Sequence, residues 1–189
     1  MSFWKALTAL TEEGLFRRVR LDGHSHALVT ITNEHHDVHH GNMYRASVQA
    51  DVAAGQTLSI TVTTPDSAVD AHLEAVMICE SQARFELIEG PTPTGGTPLT
   101  AYNANRKSSN TATVTLASGA TFASGTVLEN EVVGGTAPGN TPGGGGESRS
   151  AFEWLLDSDT VYGIRATNLD DSANQITLRL SWYEATAEE

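Results

Sequence analysis

The chain has 189 residues, of which 39% are hydrophobic, 6% aromatic and 18% charged, and its formal net charge is −12. That length suits one domain, or one domain with an arm, and that charge repels nucleic acid and anionic membrane, which excludes a general role on either. The one cysteine, Cys79, permits no internal disulfide, so stability must come from packing or assembly. Its place in the apolar run AVMIC reads as a small buried side chain.

Residues 3–20 are the one stretch with helical character. Phe3, Trp4, Leu7, Leu10, Leu15 and Phe16 partly follow helical spacing, and Gly14 interrupts it. Residues 1–22 therefore read as a short amphipathic arm ahead of a body at 23–189. Neither a long apolar leader core nor a membrane-length run is present, so the expectation is a soluble chain made in the cytoplasm. Arg17, Arg18 and Arg20 form a basic cluster in an otherwise acidic chain. Together with Phe3, Trp4 and Leu7 they make the arm a candidate partner-binding segment that grips an acidic protein surface. The plainer alternatives are a solvated arm and an arm folded back on its own body.

After Asp22-Gly23 the period changes to two. Leu28, Thr30 and Thr32 alternate with Val29 and Ile31; Tyr44, Ala46, Val48 and Ala50 alternate with Arg45, Ser47 and Gln49; Leu58, Ile60 and Val62 alternate with Thr57, Ser59 and Thr61. These patterns predict half-buried strands, with turns at 53–56 and 65–67. HLEAVMIC (72–79) is more continuously apolar, as a central strand is, and ARFELIEG (83–90) is expected to pair with it. GPTPTGGTP (90–98) reads as a long turn, and TATVTLA (111–117) as a strand with a weaker one near 120–128. The glycine-dominated run 134–148 cannot pack a core and reads as a mobile loop. SAFEWLL (150–156), TVYGIRATN (160–168) and QITLRLSWYEA (175–185) return to strand patterning, the last two as an expected hairpin around 170–173. Nine or ten short strands without βαβ alternation predict an all-β fold, a β-sandwich of jelly-roll type with an N-terminal arm.

The histidines are the one constellation that suggests chemistry. His24 and His26 precede His35, His36, His39 and His40 in EHHDVHHGN. Imidazoles beside Glu34 and Asp37 suit a transition metal, so His35, His36, His39 and His40 are candidate ligands of a structural or assembly metal. Read as an extended segment, each face offers a histidine pair. The alternative is that they hydrogen-bond at an interface or an outer loop. Enzyme patterns fail. The glutamate that should follow His-x-His closely in a cupin is too distant, and the metallo-hydrolase His-x-His-x-Asp-His and the zincin His-Glu-x-x-His do not occur. A Gly-x-Ser-x-Gly elbow and a P-loop ending are likewise missing. Glu74, Glu80, Glu86 and Glu89 alternate along strands, the mark of a solvated face. Tyr44, Trp154, Tyr162, Trp182 and Tyr183 read as packing rather than sugar stacking. No catalytic residue and no cofactor are predicted.

EHHDVHHGNMYRAS, a His-rich stretch leading into an aromatic strand, resembles a signature of small β-sandwich structural proteins of tailed-phage virions. The later pieces follow in the same order: the strand ending TTP (63–65), ARFELIEGP (83–91), AYNANRKSS (101–109), the glycine-rich loop closed by GESRSAFEWLL (146–156), and the ending LRLSWYE (178–184). The resemblance covers residues 24–184. It implies a non-enzymatic virion component, a capsid decoration or cement protein on the outer surface of a phage head. The implied partners are the major capsid protein and further copies of the chain, as a dimer or trimer. A tail- or fibre-associated adaptor and a carbohydrate-binding module are the alternatives.

Overall fold

The computed structural model describes residues 8–10, 16–18, 33–67, 69–134, 146–149 and 153–186. The chain divides into two compact units, Met1–His36 and Asp37–Glu189. In the first, strands β1 (Thr8–Leu10) and β2 (Phe16–Arg18) pair antiparallel, with Leu10 opposite Phe16. The helix expected over 3–20 is therefore not what the described part of the arm adopts. Gly14, which breaks the helical spacing, lies in sequence between the two strands. The described helix is α1 (Asn33–His40), in the histidine run that was read as extended.

The end of α1 is set by Gly41, whose φ is +76°. Its N–H bonds the carbonyl of Val38 (3.2 Å), and the N–H of Asn42 bonds that of Asp37 (2.9 Å). This is a Schellman end, which needs a residue in the left-handed region just past the helix. A side chain there is barred twice, because a Cβ would lie 2.3 Å from Ser108 Oγ.

The second unit is built on eight principal strands: β3 (Met43–Val52), β4 (Thr57–Thr63), β5 (Val69–Cys79), β6 (Ala83–Glu89), an excursion of five short strands, β12 (Thr126–Val133), the broken pair β13 (Gly146–Arg149) and β14 (Trp154–Leu156), β15 (Val161–Asn168) and β16 (Asn174–Thr186). The excursion holds β7 (Thr92–Thr94), β8 (Thr97–Leu99), β9 (Tyr102–Asn103), β10 (Thr115–Ser118) and β11 (Thr121–Ala123). One sheet runs β13-β5-β16-β3-β9, with β14 also on the edge of β5; the other runs β12-β6-β15-β4-β10-β8. Counted as eight, the first sheet is ordered 1-8-3-6 and the second 2-7-4-5. That order is the jelly roll, and the all-β sandwich expected from the sequence is the fold.

The same order corrects two expectations. β5 and β6 are not neighbours, nor are β15 and β16, because each pair is split between the sheets. β5 and β16 bury alternate residues whereas β6 and β15 bury consecutive ones, and the connection within each pair crosses the core instead of closing a ladder. Asn168 and Asn174 hold one corner together. Asn168 Nδ2 donates to the carbonyls of Val52 and Ser172, and Asn174 Oδ1 accepts the N–H groups of Glu80 and Ser81. Two boundaries also move. Residues 146–148 belong to a strand, since Gly146, Glu147 and Ser148 pair with Cys79, Ile78 and Met77. The long turn at 90–98 holds most of β7 and β8, bent at Gly95 and Gly96 in left-handed conformations. The strand expected at 28–32, the arm residues outside β1 and β2, and most of the glycine-rich loop lie outside the described residues.

Ile60, Leu87 and Ile164 of one sheet meet Met77, Leu178, Leu180 and Trp182 of the other in the core. Each such side chain contributes roughly 1.5–3 kcal/mol when fully buried. Cys79 is part of this cluster, as its sequence context predicts. Ile88 and Ala120 are as buried but stand outside the cluster. They mark a second layer, where the excursion folds over the outer face of the β4–β6–β15 sheet. Phe122 lies on the backbone of Gly163, so close that a Cβ there would be 2.8 Å from its ring.

Candidate functional site

The histidine run falls on α1, where residues four apart share a face, so the extended reading with alternating faces does not hold. His36, His39 and His40 are exposed. Among the described residues no group of three or more His, Cys, Asp or Glu is placed to hold a metal. The helix end is instead the partner of an asparagine-rich segment. Asn105 Nδ2 donates to the carbonyl of His39 (3.1 Å), Asn110 Nδ2 to those of His40 and Gly41, and the buried Asn103 Nδ2 to that of Gly41 (2.7 Å). AYNANRKSS, with the Asn110 that follows it, thus supplies the donors for carbonyls left over at the helix terminus.

A buried carboxylate anchors the chain that follows. Glu184 accepts the N–H groups of Thr113 and Val114, the hydroxyl of Thr113 (2.7 Å) and Nε1 of Trp182 (3.0 Å). An anion held by two successive backbone N–H groups replaces the strand expected over 111–114, and regular pairing starts only at Thr115. Open grooves of about 530 Å³ and 450 Å³ lie beside this strap; Tyr44, Asn110 and Thr111 line both.

The outer face of the β3–β16–β5 sheet carries the exposed chemistry. His72 and Tyr183 stack at 4.3 Å between ring centroids, and Glu153 accepts from the Tyr183 hydroxyl (2.7 Å) and pairs with His72 Nδ1. Burial raises the Tyr183 phenol, and the carboxylates of Glu153, Asp37 and Glu74 raise it further. The hydrogen bonds of this trio join the residue before β14 to β5 and β16. Further along the face, Arg45, Ala46, Ser47, Tyr102 and Arg179 line an open groove of about 250 Å³. Tyr102 is 57% exposed, with the Arg106 guanidinium 5.8 Å above its ring.

Of the predicted partner-binding residues, Arg17 and Arg18 stand on β2, while Phe3, Trp4, Leu7 and Arg20 lie outside the described residues. The aromatic residues read as packing divide: Tyr44, Tyr162 and Trp182 are buried, with Tyr44 stacked on Trp182, and Trp154 and Tyr183 are half-buried. Among the alternating glutamates Glu86 departs from the solvated-face reading. It is 7% exposed and holds Arg165 Nε at 2.8 Å. The Arg45–Arg179–Tyr102 groove was missed. Its signal was two outward arginines on alternating strands, and only strand order brings them together.

The fold and these surfaces define an all-β sandwich of jelly-roll topology whose described grooves are shallow and open. No helix among the described residues is long and apolar enough to cross a membrane. Comparison with protein-family models, with curated proteins and with solved structures finds no match to this chain.

Proposed function

We propose that the protein is a non-enzymatic virion structural protein, a capsid decoration or cement subunit on the outer surface of a phage head. The observation that carries the reading is the strand order 1-8-3-6 and 2-7-4-5. That architecture serves viral capsid domains, lectins and cupins, and the cupin ligand pattern is missing from the sequence. The order of motifs from EHHDVHHGNMYRAS to LRLSWYE supports the virion branch. In this reading the partners are the major capsid protein and further copies of the chain as a dimer or trimer, and no nucleic acid or membrane is engaged. Many symmetric copies make weak individual contacts sufficient. The arm, through Phe3, Trp4, Leu7, Arg17, Arg18 and Arg20, widens each contact.

Particle imaging tests this. Purified heads incubated with the protein are expected to show added density at icosahedral positions with a fixed copy number. Deletion of residues 1–22 is expected to lower occupancy while the body stays folded. Bare heads beside protein-bearing tails would move the protein to the adaptor reading. Exposed Tyr102 beside Arg45 and Arg179 favours a second reading, a carbohydrate-binding module. Saturable heat on titration with soluble glycan, without head binding, would establish it.

A further inference from the structure

Four of the eleven Lys and Arg residues, namely Arg45, Arg106, Lys107 and Arg179, are exposed on β3, β16 and the segment after β9. Arg45 and Arg179 are diagonal neighbours, since Arg45 pairs with Ser181 and Arg179 with Ser47. They line the groove with Ser47 and Tyr102, and Arg106 stands over Tyr102. In a chain of net charge −12 this is a local reversal of sign.

A second observation concerns the backbone at the same place. β16 pairs with the whole of β3, from Met43 to Val52, but β9 is two residues long and pairs only with Tyr44 and Arg45. Ala104 N–H bonds the Met43 carbonyl at 2.8 Å. Odd-numbered residues of β3 therefore turn N–H and C=O toward this edge, and the antiparallel alternation gives Ser47 and Gln49 the same orientation. Among the described residues no strand pairs with them there. The side chains agree: Tyr44, Ala46 and Val52 are buried on the core side of β3, whereas Val48 and Ala50 are only half-buried.

We propose that this edge accepts an extended acidic segment of a partner protein as an added strand. Backbone groups of Ser47 and Gln49 supply the ladder, as in other cases of strand addition. Period two then fixes the segment's pattern. Its outward residues are acidic and meet Arg45 and Arg179; its inward residues are apolar and cover Val48 and Ala50. Asp51, exposed at the far end of β3, bounds the acidic footprint, and Glu74 lies on the far side of β16. The inference stands whether or not the partner belongs to a virion.

The probe is a blocked, fluorescently labelled peptide of alternating glutamate and valine, about eight residues long, with its lysine-for-glutamate counterpart as control. Anisotropy is expected to rise with the acidic peptide and not with the basic one, and to weaken as salt is added. Arg45→Glu with Arg179→Glu is expected to weaken binding at least about tenfold. Gln49→Pro removes an edge-facing N–H, the position at which a strand tolerates proline. It is expected to weaken binding similarly with all charges retained, and thermal melts of both variants establish that they fold. No binding by the acidic peptide would overturn the proposal. Loss with the arginine variant but full binding by Gln49→Pro would leave charge attraction without strand addition and overturn it as well. Binding of an acidic polysaccharide in place of the peptide would assign the groove to glycan.

Discussion

On the β4–β6–β15 sheet several side chains pointing away from the core are buried under another layer of protein, but on the β3–β5–β16 sheet they are exposed or half-buried. Ile88, Ser59, Thr61 and Glu86 on the first are buried, whereas Arg45, Ser47, Gln49 and Arg179 on the second are exposed. The difference comes from one excursion, residues 90–125, which leaves the sheet at the end of β6, lays Phe122 of β11 over Gly163 and extends the far edge with β8 and β10. Burial on this protein is therefore no guide to which sheet face is the core. The covered face is held by protein, and the bare face is the one on which the added strand is proposed.

The largest expected effect is at the anchor of the excursion. Glu184→Ala leaves the N–H groups of Thr113 and Val114 and Nε1 of Trp182 without their acceptor. Each buried orphan costs about 1–3 kcal/mol, and partial rescue by water leaves an expected loss of about 3 kcal/mol in urea unfolding. Glu184→Gln, which keeps an acceptor oxygen, is expected to lose less. A loss below about 1 kcal/mol for the alanine variant would mean that the strap is not what holds the excursion. Next is Gly163→Val, which drives a side chain into the Phe122 ring. Overpacking of this kind costs about 1–3 kcal/mol, and Phe122→Ala in the same chain is expected to recover part of it. If the double variant is no better than the single, the covering layer is looser than its geometry.

The tyrosines sharpen the comparison through pH. Burial, opposed by the Asp157 N–H and aided by Glu89, pushes Tyr162 up to about 12. Tyr183, on the bare face, is raised as well. A phenol raised on folding contributes stability that is complete below its ordinary value of about 10 and is lost as pH rises through the folded value. Stability is thus expected to fall between about pH 10 and pH 12, with tyrosinate absorbance that lags and then appears as the chain unfolds. Tyr183→Phe removes one late-titrating group; amplitude lost from the ordinary step near about pH 10 instead of the late one would show that Tyr183 ionises normally. The smallest effect is at Thr61, whose buried Oγ1 has no hydrogen-bond partner among the described residues. Thr61→Val is expected to be neutral or to stabilise by up to about 1 kcal/mol.

Alternation made the strands legible, and β16 follows the expected two faces residue by residue, from Ile176 to Trp182. It did not make strand partners legible, because a period of two tells that a face is buried without telling against which sheet. The expected β5/β6 and β15/β16 hairpins fail for that reason. Ser59, Thr61 and Glu86 looked like solvated positions because nothing local announces a covering layer. Gly163 in the middle of TVYGIRATN was the available hint, since a glycine inside a strand marks close approach by something else. In α1 a polar histidine run hid the helix, and the informative residue was Gly41 just beyond it. The groove arginines were each visible as outward residues, but Arg45 and Arg179 become neighbours only when the last strand lies beside the first.

That adjacency of β3 and β16 bears on how the chain is made. The first principal strand has its full-length partner only in the last one. At about 5–20 residues per second, synthesis of the roughly 120 residues between Val52 and Asn174 occupies on the order of ten seconds. For that time β3 has at most the two-residue strand β9 beside it and lacks its long neighbour. Released fragments ending before Asn174 would lack the strand that joins β3 to β5. Chains truncated before β16 should accordingly be aggregation-prone rather than smaller sandwiches, because this thirteen-residue strand is the clasp between β3 and β5.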